Sequence, residues 1–216
     1  MLRLDAAPFS KEELAQLIPP RDPNAAVNLI DLTEYYNAPL SQSWYTAKQD
    51  GNDLSELRPG FRKLGGIEFD VRGLIQIGAS AANGLAYPNH VHGIPIGRQC
   101  RRLHFLHAAI LASSARPGDE LGSYVIQYLD GREAELPIVT GKDMADWWSQ
   151  PNERGMDCAI AWAGTNPAAR SAGQSLRLFR TTWENPAPNL AIKQLDFTSD
   201  KPTPGQPFLV AITAEP

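Results

Sequence analysis

Hydrophobic and polar positions alternate with a period of two over most of this chain, a spacing that predicts strands rather than helices. In IEFDVRG, Ile67, Phe69 and Val71 fall on one face and Glu68, Asp70 and Arg72 on the other. Gly73 then permits a bulge before Leu74 to Ile77 continue the strand. RRLHFLHAA differs: Leu103, Phe105 and His107 alternate with Arg102, His104 and Leu106, and neither set is cleanly polar. Both faces of that strand are therefore expected to be covered. Tyr124, Ile126 and Tyr128 alternate with Val125, Gln127 and Leu129, and Asp130-Gly131 predicts a type I′ hairpin from about Ser123 to Val139.

Other strands are expected in NLIDLTEYYN from Asn28, in Cys158 to Gly164, and in SLRLFRTTWEN, AIKQLDFTS and PFLVAITAE. Segments 41–66, 78–93 and 149–157 lack periodicity and read as loops, the second holding an Asn83-Gly84 turn signal. Pro202, Pro204 and Pro207 predict a stiff connection that guards a sheet edge. The one helix signal is a capping box: Ser10 with Glu13 opens Lys11 to Ile18, and Pro19-Pro20 stops it. Residues 1–26 thus read as a helix and linker, a tether or strap, and residues 27–216 as the domain proper. Eight to ten strands with short connections favour an all-β antiparallel sandwich of the jelly-roll kind.

Composition narrows the partners more than it names one. Seventeen Gly and 18 Pro among 216 residues suit a turn-rich β domain with a sizeable core. A net charge of -4 and a pI near 5.6 argue against nucleic acid, which needs a basic footprint, and the cluster Arg98, Arg101, Arg102 is small. No run approaches the length of a membrane helix, and MLRLDAAPFSKEEL lacks the basic-then-apolar order of a signal peptide. The chain is therefore expected to be soluble and to stay where it is made. Cys100 and Cys158 lack CxxC spacing and read as buried free thiols, with a disulfide as the alternative.

Candidate chemistry concentrates in GKDMADWW, where Asp143, Asp146, Trp147 and Trp148 sit within six positions. Flat aromatic faces beside carboxylates are what a sugar's C–H patches and hydroxyl rim require. Adjacent tryptophans on an extended chain point opposite ways, so one can be core while the other lines a surface. Trp183 and Glu184 offer the same chemistry at another strand end, and Tyr87 adds an aromatic on a loop. The structural alternative is that both loop tryptophans cap the sandwich while Asp146 accepts backbone or arginine hydrogen bonds. His90-x-His92 places two imidazoles on one strand face, but no acid follows between Gly93 and Leu103 to complete a metal site. His104 and His107 face opposite ways and suit core hydrogen bonding. No metal site or cofactor is predicted, and a structural calcium ion is left open.

The succession IDLTEYYN, GNDLSELRPG, GGIEFDVRGLIQIG, GIPIGRQCRRLHFLHAA, GSYVIQYLDGREAELPI, GKDMADWW, LRLFRTTWENP and PFLVAITAE resembles a galactose-binding-like β-sandwich module of large bacterial proteins. Such modules accompany carbohydrate-active enzymes and kinase-like regulatory chains. The resemblance covers about residues 27 to 215 and implies a non-catalytic accessory domain. Three functions follow as expectations. The first is carbohydrate binding through Trp147, Trp148, Asp143, Asp146, Trp183, Glu184 and Tyr87. The second is a protein-interaction or regulatory role within a larger protein. The third is a glycoside hydrolase-like enzyme, which would need two of Asp143, Asp146, Glu184 and Asp70 facing one cleft.

Overall fold

Residues 8–45, 50–80, 85–110, 115–149, 156–199 and 205–216 are described by a computed structural model. Its first half holds α1 (Lys11–Leu17), β1 (Ala38–Pro39), β2 (Gly60–Leu64), β3 (Ile67–Val71), β4 (Gly73–Gln76), β5 (Ala79–Ser80), β6 (Leu85–Ala86) and β7 (His90–Arg98). The middle holds β8 (Arg102–Ile110), β9 (Glu120–Tyr128), β10 (Glu133–Val139) and β11 (Trp148–Ser149). After these come β12 (Ala159–Gly164), α2 (Pro167–Ser171), β13 (Ser175–Glu184), β14 (Ile192–Thr198) and β15 (Gln206–Glu215). A seven-stranded sheet runs β1-β4-β15-β8-β13-β11, with β12 on β13, and a four-stranded sheet runs β10-β9-β14-β7. Their named strands pair antiparallel, and the fold is the expected all-β sandwich.

β8 is buried from Leu103 to Ile110 and β15 from Pro207 to Ala214, as a strand covered on both faces requires. On the inner face the two sheets meet through Phe105, His107, Tyr124 and Phe197; the Phe105 and Tyr124 rings stack at 4.1 Å and those of Tyr124 and Phe197 at 4.9 Å. The other face of the large sheet is closed by loops and by the β2–β3 hairpin. There Phe208 packs against Trp44 and Trp147, while the Thr213 hydroxyl donates to the Glu68 carbonyl at 2.6 Å.

The strap is tied down by charge. Arg21 donates to Asp70 at 3.0 Å and to the Leu29 carbonyl at 2.6 Å. Arg72, its side chain 2% exposed, pairs with Asp70 at 3.0 Å and with Asp31 at 2.8 Å. Helix α1 carries the predicted capping box, with the Glu13 N–H donating to Ser10 Oγ and the Ser10 N–H donating to Glu13 Oε2.

Several local expectations are corrected. The stretch after Asn28 is no strand beyond a single bridge from Leu29 to Thr213. Asp31 instead accepts hydrogen bonds from the N–H and hydroxyl of Thr33, a local alternative that competes with a ladder. Segment 41–66 contains β2, whose GFRKL lacks clean alternation, and Gly65-Gly66, with φ of +55° and +87°, is the tight turn joining it to β3. The 78–93 loop holds β5, β6 and the start of β7, and Asn83-Gly84 lies outside the described residues.

The hairpin at Asp130-Gly131 is present, but the Gly131 N–H closes onto the Tyr128 carbonyl at 3.1 Å and Gly131 has φ +88°. Its loop is therefore Leu129-Asp130-Gly131, three residues ending in a left-handed glycine, rather than a two-residue type I′ turn. Pro207 sits inside interior strand β15, opposite Ala109, and guards no edge; Pro202 and Pro204 lie outside the described residues. Helix α2, capped by Asn166 with a proline in its first turn, was not expected. Cys100 and Cys158 are not joined in a disulfide; Cys100 is buried as expected, whereas Cys158 is only half-buried.

Gly122 on β9 shows how tightly the small sheet is built, since a Cβ there would lie 2.1 Å from the Thr198 carbonyl oxygen on β14. Gly122→Ala should lower unfolding free energy in urea by about 3 kcal/mol, at the upper end of overpacking penalties. At Gly131 a Cβ meets nothing within 4 Å, and Gly131→Ala should cost only about 1 kcal/mol through its backbone conformation.

Candidate functional site

The GKDMADWW segment folds inward. Its residues 146–148 wedge between β8 and β13: the Trp147 N–H donates to the Ala109 carbonyl at 2.9 Å, and the Arg177 N–H donates to the Trp147 carbonyl at 2.9 Å. Trp147 is 1% exposed. Its ring lies 4.9 Å from Trp44, 5.8 Å from Tyr45 and 6.2 Å from Phe208, which makes it a centre of the outer core. Trp148 is half-buried on β11, beside Leu176, with its indole N–H lacking a hydrogen-bond partner among the described residues. The predicted opposition of the two rings is not realised: their centroids lie 6.2 Å apart in an edge-on contact, with Trp147 enclosed and Trp148 half-buried beside it.

Both acids of the loop are buried and serve the backbone. Asp143 Oδ2 accepts the Val139 N–H at 2.9 Å, and Asp146 Oδ1 accepts the Trp148 N–H at 2.8 Å. Tyr87 is buried, with its hydroxyl donating to the Trp44 carbonyl at 2.6 Å. Trp183 is buried as well, while Glu184 is exposed and accepts from Arg102 Nε at 2.6 Å. Asp146 bridges to Ala109 and Trp183 pairs with Leu103. Six residues of β8 thus hold these two groups apart, roughly 20 Å along an extended strand. The expected surface of seven residues is not brought together: Tyr87, Asp143, Asp146, Trp147 and Trp183 are core. Asp70, a carboxylate considered for catalysis, is likewise buried, between Arg21 and Arg72.

Beneath this loop lies a buried polar chain that fixes one histidine's tautomer. The Thr181 hydroxyl donates to the Asp143 carbonyl at 2.9 Å and so cannot donate to His107 Nε2, also 2.9 Å away. His107 therefore carries its proton on Nε2 and accepts at Nδ1 from the Tyr124 hydroxyl at 3.0 Å. On the outer face His104 lies 2.9 Å from Thr182 Oγ1 and 3.0 Å from Glu215 Oε2. The His104 hydrogen bond first, and Arg102 with it, outweigh burial and hold the Glu215 carboxyl below its usual range.

The group that does face outward is on the four-stranded sheet. Cross-strand register, with the His92–Asp196 side-chain contact where the β14–β7 ladder is bulged, sets three rows over its open side: Pro95, Gln194, Gln127 and Glu133; His92, Asp196, Val125 and Glu135; His90, Thr198, Ser123 and Pro137. His90 and His92 lie on one face of β7, as their spacing predicts, with rings stacked 5.4 Å apart at 10°.

The polar side chains beside them are held in a relay. Gln194 Nε2 donates to Gln127 Oε1 at 2.8 Å, and Gln127 Nε2 donates to Asp196 Oδ2 at 3.4 Å. Asp196 also takes His92 Nδ1 at 3.0 Å on Oδ2 and the Gly93 N–H at 2.8 Å on Oδ1. The His92 side chain is 65% exposed and its Nε2 remains available as the ring's other hydrogen-bonding nitrogen. Four strands and three rows make a platform of roughly 15 by 14 Å. Gln127, Gln194, Asp196 and Thr198 escape a reading of single strands because register, not spacing, decides which of them share a face with the histidines. Among the described residues no three His, Cys, Asp or Glu side chains converge to hold a metal ion, and no helix is long and apolar enough to cross a membrane.

The His107 network has a pH signature. Burial lowers the imidazole pKa from 6.5 to about 3, so the unfolded chain takes up a proton that the folded one refuses. Stability is present in full above the unfolded pKa and is lost as pH falls from 6.5 toward 3, by up to about 1.4 kcal/mol per pH unit. Asp143 acts with the opposite sign: burial raises its carboxyl, against the Val139 hydrogen bond, so its ionisation costs stability as pH rises through the carboxylate range. Just below 6.5 the slope should therefore be that of His107. Urea unfolding at a series of pH values should show it in the wild type, and His107→Gln should flatten it.

No protein-family model matches this chain, and none of the curated proteins matches it in sequence.

Proposed function

We propose that this protein is a non-catalytic carbohydrate-binding module that holds its ligand on the open face of the four-stranded sheet. The observation that carries the reading is the relay Gln194–Gln127–Asp196–His92, four hydrogen-bonding side chains already fixed in place, the last of them stacked on the imidazole of His90. A sugar needs donors and acceptors at set positions for its hydroxyls, and flat faces for its C–H patches. Side chains ordered before binding lose little further rotamer entropy, which is the usual cost of polar recognition. Glu133, Glu135 and Asp196 on the same face disfavour polyanionic glycans, so the ligand class is a neutral oligosaccharide spanning several rings. In this reading the ligand lies on the sheet rather than at the loop tryptophans.

A glycan array followed by titration calorimetry tests the reading. At least one neutral oligosaccharide should bind, and the pair His92→Ala with Gln127→Ala should weaken it about tenfold, from the loss of roughly one net hydrogen bond each. Trp147→Phe should lower the melting temperature and leave affinity within twofold, since the ring is enclosed by Trp44, Tyr45 and Phe208. Absence of any neutral-glycan binding, or a double variant that binds as tightly as wild type, would overturn the assignment.

A further inference from the structure

Strand β12 is the outermost strand of the large sheet. Trp147 bridges β8 and β13 on one side of β13, so β12 occupies the other, and β13 is its one strand partner among the described residues. No backbone hydrogen bond joins Ala159 to Ala163 with anything beyond that ladder among the described residues. The turn at Gly65 does approach Ala161, but on the face that also carries the Arg180 side chain, and among the described residues no second strand pairs with the edge.

Sheets normally protect such edges with charge, proline or distortion. The other long edges of this molecule do so: β10 carries Glu133, Glu135 and Pro137, and β7 carries Pro95 between Gly93 and Gly97, which have φ of +75° and +64°. By comparison, β12 is AIAWAG, with neither charge nor proline; its one protective distortion is the register shift between Ile160 and Trp162, and Ile160 is 53% exposed. We propose that β12 is a strand-addition site that takes an extended partner peptide with an apolar middle and basic ends.

Charge selects this occupant over a second copy of the chain. Exposed Asp157 precedes the strand, and exposed Glu56 stands at its far end, accepting the Thr165 N–H. Two copies pairing antiparallel edge to edge would set the Asp157 of one against the Glu56 of the other, a like-charge contact at both ends. A net charge of -4 per chain adds to that repulsion. A peptide with Lys or Arg at each end meets a carboxylate at either end, whichever direction it runs, while its backbone completes the ladder.

The test uses the whole chain with the capped synthetic peptide Lys-Val-Thr-Val-Thr-Val-Lys, and the same peptide with Glu at both ends. The lysine peptide should slow hydrogen exchange at the amides of Ala159 to Ala163 and bind roughly fivefold or more tighter than the glutamate peptide. Asp157→Lys combined with Glu56→Gln should remove or reverse that preference. Ile160→Lys should reduce binding with little change in melting temperature, because the side chain it replaces is exposed. Equal binding of the two peptides, absence of protection on β12, or a concentration-dependent dimer dissolved by Ile160→Lys would each overturn the proposal. None of these outcomes bears on the glycan face, which lies on the other sheet.

Discussion

Burial of β8 on both faces is the constraint from which the remaining architecture follows. A strand with water on one side can leave half its residues polar, but here every residue from Leu103 to Ile110 is enclosed. The chain must then supply two cores, one on each side of a single sheet. The small sheet closes the inner side with Tyr124 and Phe197, and the Trp44, Trp147 and Phe208 cluster closes the outer. Two histidines lie on this strand, and each must be satisfied where it lands. His107 is held between Tyr124 and Thr181 inside, and His104 between Thr182 and Glu215 outside. An unpaired polar group at either place would cost about 1 to 3 kcal/mol.

The outer layer depends in turn on Arg72. Its guanidinium lies 5.4 Å from the Tyr36 ring centre and pairs with Asp70 and Asp31, while Asp70 also takes Arg21 from the strap. Such a cluster contributes little net stability compared with an apolar filling, but losing one member strands a buried charge, which costs several kcal/mol. The strap therefore belongs to the packing of the large sheet even though α1 has no fully buried residue.

How far the sequence discloses this structure depends on how local each signal is. The capping box at Ser10, the covered character of β8 and the hairpin near Asp130 are written in neighbouring residues, and they were legible. The strand expected after Asn28 was not realised because Asp31 has a use for its side chain that spacing cannot show, ligation of Thr33 and Arg72. The aromatic and acidic residues of GKDMADWW have the composition of a sugar platform, and the same composition suits a buried plug. Which one it is depends on a wedge between β8 and β13, strands distant in sequence. The His92, Asp196, Gln127 and Gln194 group is illegible for a related reason, since it draws on three strands and two bulged ladders.

The outer core also carries its own optical label. All five tryptophans are wholly or partly buried, and Trp44 and Trp147 sit 4.9 Å apart with their planes inclined by 51°. Rings held so close in a fixed chiral arrangement couple their electronic transitions, and signals of that kind in the near ultraviolet vanish when packing loosens, even where backbone structure survives. The large sheet's outer layer can thus be followed spectroscopically without any added probe. The sheet face that bears His90 and His92 has no tryptophan in its three rows, and it would stay dark in the same measurement.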